Sequence, residues 1–194
     1  MTTRRHFLRM GCLTVLGLMW PMASAQAGAD IRQVTLTVGD DTLVLTGTFG
    51  LQLSPALTDA VNHGIPLVFQ IESQIRRPRW YWVDEALFTA HADRRLTYNA
   101  LVRNYRVSDG QEGRNFQNLP DALDYVARPV SWMVPAGRLR SGEPVETLIR
   151  FRLDPAFLPK PFQVVSFGDR DWRLDSDWRT FRVTVPAISA TGVR

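Results

Sequence analysis

A chain of 194 residues that is 45% apolar and 22% charged can bury the core of one domain and is too apolar to remain a disordered polymer. Its net charge of +4 lies mostly at the start: without Arg4, Arg5 and Arg9, twenty basic residues face nineteen acidic ones. A domain so close to neutrality cannot neutralise many phosphates, which argues against nucleic acid as a partner.

In chain order, the three early arginines come without an acid and precede an apolar run, Met10 to Met22. Ala23-Ser24-Ala25 then supplies small residues where a signal peptidase needs them, with Ala23 and Ala25 at the specificity positions. The order predicts a cleavable signal over residues 1–25 and export to the periplasm. The run falls short of the roughly 20 residues that span a bilayer; an uncleaved inner-membrane anchor is the alternative. Thr3-Arg4-Arg5-His6-Phe7-Leu8-Arg9 resembles the twin-arginine export motif, with Arg4 and Arg5 as the recognised pair. A general secretion signal in an arginine-rich chain is the other reading. Cys12, the only cysteine, stands in front of the apolar run instead of at the cleavage point, which excludes lipidation. The mature domain then has no thiol for a disulfide, a metal or a nucleophile.

Ile31 to Val38 alternates, Gly39-Asp40-Asp41 is turn chemistry, and Leu43, Leu45, Phe49, Leu51 and Leu53 fall on every second residue, predicting a β-hairpin. Ser54-Pro55 opens a short helix with Leu57, Ala60 and Val61 on its apolar face, and Gly64 ends it. Ile65 to Ile75 reads as a strand. Arg79 to Ala90 and Arg95 to Val107 read as two more, with a turn near Ala92-Asp93 and a β-bulge near Asn99-Ala100 where the apolar set changes face. Asp109 to Gly113 is a polar loop, and Asn118 caps a second helix over residues 120–127. Val145, Thr147, Ile149, Phe151 and Leu153 predict another strand. Prolines make residues 155–161 extended and irregular, with Lys160 in solvent and Leu158 and Phe162 on the core. Phe162 to Phe167 and Phe181 to Val185 close the fold as strands. The pattern predicts a mainly β protein, an antiparallel sandwich or half-barrel with two short helices. It forms one domain over residues 30–186, with a disordered tail at 187–194.

Arg76-Arg77-Pro78-Arg79-Trp80-Tyr81-Trp82 is the densest cluster of functional side chains. In a strand, Arg77, Arg79 and Tyr81 share one face and Trp80 and Trp82 the other. Guanidinium groups there can clamp an anion, or they can pair with Asp84 and Glu85 and cover the edge of the core. Asp169, Asp171, Asp175 and Asp177 crowd one loop, but a calcium loop read from Asp169 places Arg173, Leu174 and Thr180 where ligands, Gly or Glu belong, so a surface acidic–basic turn is expected. His63 and His91 begin no metal spacing, and neither a Gly-x-Ser-x-Gly elbow nor a phosphate-cradling glycine loop occurs. No catalytic residue, cofactor or metal is assigned on this evidence. A non-enzymatic binding or accessory domain is expected, with a small anionic-ligand binder or an enzyme using Arg76–Trp82 as the alternative.

Several stretches carry a resemblance. They are Leu53-Ser54-Pro55-Ala56-Leu57, Gly64-Ile65-Pro66-Leu67, Arg77-Pro78-Arg79-Trp80-Tyr81-Trp82-Val83-Asp84-Glu85, Leu96-Thr97-Tyr98-Asn99-Ala100-Leu101, Leu153-Asp154, Leu158-Pro159-Lys160-Pro161-Phe162-Gln163-Val164 and Asp177-Trp178. Together they resemble an uncharacterised family of exported proteobacterial proteins, domain of unknown function 4390. The resemblance implies no activity, cofactor or catalytic residue. It implies a partner in the envelope, of the kind a membrane histidine kinase would be.

Overall fold

The computed structural model describes residues 28–38, 42–79 and 84–187. Two antiparallel sheets enclose one apolar core. The smaller sheet runs β1 (Gly28–Val38), β2 (Leu43–Gln52) and β7 (Val130–Val134), with β2 in the middle. The larger runs β6 (Gly113–Phe116), β5 (Asn104–Ser108), β4 (Glu85–Asn99), β3 (Leu67–Arg77), β8 (Pro144–Leu153) and β9 (Arg179–Thr184), in that spatial order. Three short helices, α1 (Pro55–Asn62), α2 (Leu119–Val126) and α3 (Lys160–Gly168), complete it.

Period-2 alternation decides which face is buried. Leu43, Leu45 and Phe49 of β2 point inward, as do Val145, Thr147, Ile149, Phe151 and Leu153 of β8. Phe151 joins the sheets: its ring lies 5.4 Å from Phe49 of the small sheet and 5.8 Å from Phe69 of its own. Gly47 continues the inward series because the sheets approach closely there. A Cβ at Gly47 would stand 2.9 Å from Phe49 Cζ and 3.2 Å from Ile149 Cδ1. Ile31 and Leu36 are odd and even in number yet both buried, because a β-bulge at Arg32 shifts the register of β1 against β2 between them.

Both predicted caps are present. The Ser54 hydroxyl accepts the Leu57 amide at 3.1 Å, and Asn118 Oδ1 accepts the Asp121 amide at 2.9 Å. Gly64, with φ of 83°, follows α1 in the left-handed region. Some core groups break the pattern of satisfied polar atoms: Ser73 and Thr147 are fully buried and their hydroxyls have no hydrogen-bond partner. Thr147→Val is therefore expected to raise stability by about 1 kcal/mol, the cost of desolvating a hydroxyl for nothing, as read from the urea unfolding midpoint.

Several expectations need correction. Ala92 and Asp93 form no turn; they pair with Ile71 and Gln70 inside the continuous β4, where cross-strand partners override their weak strand propensity. The reversal comes at residues 100–103, and the β4–β5 register runs without a bulge to Asn99 and Asn104. Asn99 Oδ1 accepts the Leu101 amide at 3.0 Å and Arg103 takes φ of 48°, so the apparent change of face is the hairpin turn itself. Among the described residues there are three helices rather than two, since Phe162 to Phe167 is helical rather than a strand. Pro159 and Pro161 start α3 instead of excluding it, because amides of a helix's first turn have no acceptor within the helix. Leu158 is buried and Lys160 is exposed as expected, and Phe162 packs against the core while half-buried, stacked on Trp172 at 5.0 Å. The small strands β6 and β7 escaped sequence reading.

Candidate functional site

The arginine cluster lies where β3 ends. Its alternation sends Gln70, Glu72, Gln74 and Arg76 to the outer face, and Pro78, which has no amide to donate, ends the ladder after Arg77. The residues do not form one strand as expected: Arg76 and Arg77 belong to β3, and Pro78 and Arg79 to the connection that follows. Trp80, Tyr81 and Trp82 lie outside the described residues, as do Arg4, Arg5, Ala23 and Ala25 of the signal and residues 188–194 of the tail.

Each arginine is committed to a neighbour. Arg76 donates from Nε and Nη2 to Gln74 Oε1, at 3.0 and 2.6 Å. Arg77 forks onto Glu143, with Nε on Oε1 and Nη2 on Oε2, the latter at 3.1 Å. Its Nη1 donates to Glu85 at 2.8 Å and its Nη2 also reaches the Arg138 carbonyl at 3.2 Å. Arg79 pairs with the same Glu85, and its amide donates to Asp84 Oδ1 at 3.3 Å. The pairing with Asp84 and Glu85 is thus the one that the sequence suggested. Glu143, the stronger partner, was not legible: it lies 66 residues away in the turn before β8, and no local pattern links it to Arg77.

The electrostatics follow. The Glu143 hydrogen bond, opposed by desolvation and aided by Glu85, holds Arg77 protonated well above the ordinary guanidinium range. Arg77 in turn keeps the Glu143 and Glu85 carboxyls below the usual carboxylate range. Carboxyls with depressed folded-state pKa values stabilise the fold above their unfolded pKa, near pH 4, and lose that contribution as pH falls through the folded value. Acid titration of the wild type should therefore show stability falling below about pH 4, and an Arg77→Met variant should show a shallower fall. A cleft of about 280 Å³ lies beside the network, lined by Arg77, Glu85, Leu87, Gly137, Arg138 and Arg140.

The acidic loop also resolves into local bonds. Asp169 Oδ1 caps the short turn at Asp171, at 2.9 Å, and Asp175 pairs with Arg150 of β8. Burial pushes the Asp175 carboxyl up, but Arg150 and the Asp177 amide outweigh it and leave the group below its ordinary value. His63 Nδ1 lies 2.7 Å from the Asp59 carbonyl at the end of α1. Among the described residues no group of three or more His, Cys, Asp or Glu side chains is arranged to hold a metal.

Fold and site together define an antiparallel two-sheet domain whose densest cationic cluster is closed by its own carboxylates. The chain belongs to the family described as Domain of unknown function (DUF4390), whose model matches residues 26–182. No curated protein and no solved structure matches the chain.

Proposed function

We propose that this is an exported, periplasmic, non-enzymatic accessory or binding domain that contacts another protein of the envelope or inner membrane, a membrane histidine kinase being one candidate. The observation that carries the reading is a contrast of surfaces. The described guanidinium groups of the Arg76–Arg79 cluster are spent internally, whereas the tip of the β4–β5 hairpin offers Leu101, 95% exposed, and Val102, 62% exposed, to the outside. Exposed apolar residues at the end of a long hairpin are what a protein partner can bury. Among the described residues no helix is long and apolar enough to cross a membrane.

The test is crosslinking in cells from a photoreactive residue at the exposed Ala100, beside the tip, in the wild type and in a Leu101→Asp, Val102→Asp variant. One discrete membrane-protein adduct that disappears in the variant supports the reading. Identical adducts in both, or none, count against it. Export is checked in the same cells by intact mass: periplasmic protein lacking the first 25 residues supports cleavage, and a full-length species released only by detergent supports the anchor. Arg4→Lys with Arg5→Lys keeps the charge and removes the guanidinium pair; undiminished export of that variant favours the general secretion route.

A further inference from the structure

We infer that the cavity between α2 and the β5–β6 hairpin is a phosphate-binding site, built by Arg94, Arg114 and Arg128 around the ring of Tyr125. The proposal is independent of the protein-partner reading. The cavity holds about 290 Å³ and is lined by those four residues, Asp109 and Pro129.

Three elements within one stretch of chain, residues 94–128, bring the cations together. Arg94 comes from the middle of β4, Arg114 from β6, and Arg128 from the chain just after α2. The Cζ atoms of Arg114 and Arg128 lie 5.4 and 5.0 Å from the centroid of the Tyr125 ring, which Phe116 supports at 5.2 Å. A guanidinium attracted by a ring is held without a carboxylate, which leaves N–H donors for an oxyanion. Among the described residues neither Arg114 nor Arg128 makes an ion pair. The Arg77 cluster is the opposite case, since its donors already point at carboxylates.

Arg94 adds charge with no carboxylate in hydrogen-bond contact, Asp109 acting on it only through space. It donates to the carbonyls of Val126, Arg128 at 2.7 Å, Tyr125 at 3.4 Å and Pro129 at 3.4 Å, so its partners are dipoles rather than anions. Burial lowers its pKa, a sign that the charged form is costly there. The one carboxylate lining the cavity, Asp109, accepts the Glu112 amide at 3.1 Å. Three guanidinium groups against one carboxylate leave an excess of two positive charges, which suits a phosphate carrying about −1.5 to −2 better than a single carboxylate. A neighbouring cavity of about 620 Å³ shares Arg94 and Asp109, and gives room for the remainder of a phosphorylated molecule.

The source of the phosphate, free or on a lipid headgroup, is separated by two arms using the protein purified from the full chain. In the first, inorganic phosphate is titrated at constant ionic strength against chloride, with the arginine Nε–Hε resonances as readout. In the second, sedimentation is measured with phosphatidylcholine vesicles with and without phosphatidic acid, whose headgroup is a phosphomonoester. Saturable binding is expected in at least one arm. Arg114→Gln and Arg128→Gln should each weaken it roughly tenfold, as loss of one charge-assisted hydrogen bond does, and the double variant should abolish it. Arg170→Gln with Arg179→Gln removes the same charge from exposed positions elsewhere and should bind like the wild type. A response to free phosphate assigns the site to a soluble phosphate, and a response confined to anionic vesicles assigns it to a headgroup. No saturable binding in either arm, or equal loss in the two double variants, would overturn the proposal.

Discussion

Phe151→Ala is expected to lower the unfolding free energy by about 4 kcal/mol. The side chain is fully buried, so truncation removes its transfer free energy and leaves a cavity. The cavity cannot close easily, because its walls are the Phe49 and Phe69 rings on two different sheets. Urea unfolding with an unchanged slope and a lowered midpoint is the expected signature. A loss under about 1 kcal/mol would mean that the sheets move together to fill the space, contrary to the rigid packing described.

Arg94→Met should cost about 2–3 kcal/mol, a large effect for a residue that makes no ion pair among the described residues. Its guanidinium closes the C-terminal end of α2 by taking the carbonyls of Tyr125, Val126 and Arg128, and a cation there also answers the helix dipole. Methionine keeps much of the stem and loses every donor. Amide exchange should therefore accelerate in α2 more than in β3 or β8. Uniform acceleration across the protein would instead make Arg94 a general packing residue.

Long regular elements were legible and short irregular ones were not, for identifiable reasons. The series Val145, Thr147, Ile149, Phe151 and Leu153 is buried as one face of β8, and Ser54 and Asn118 cap the helices that their positions suggested. Val164 and Val165 misled. They are β-branched residues that favour strands, but they sit exposed on α3, and the Gln163 side chain ties that helix to the Leu158 carbonyl at 2.7 Å. At the cluster, Asp84 and Glu85 were legible because they are near in sequence, and Glu143 was not because the fold alone brings it to Arg77. Tyr125 with Arg114 and Arg128 was missed although the three are close in sequence, because only the fold of α2 against the adjacent β6 shows which side chains meet the ring.

The position of β3 between β4 and β8 also has a kinetic consequence. β3 and β4 are joined by a short connection and can meet within microseconds, as hairpins do. The other partner arrives late: Gln70 of β3 meets Arg152 of β8 across 82 residues, so that ladder cannot form until a long loop has closed. The large sheet should therefore assemble from its β3–β6 side first, with β8 and β9 docking afterwards, giving millisecond-to-second folding typical of non-local β topologies. Until β8 docks, the edge of β3 is unpaired, and a newly made chain spends that interval with a long apolar strand open to other chains.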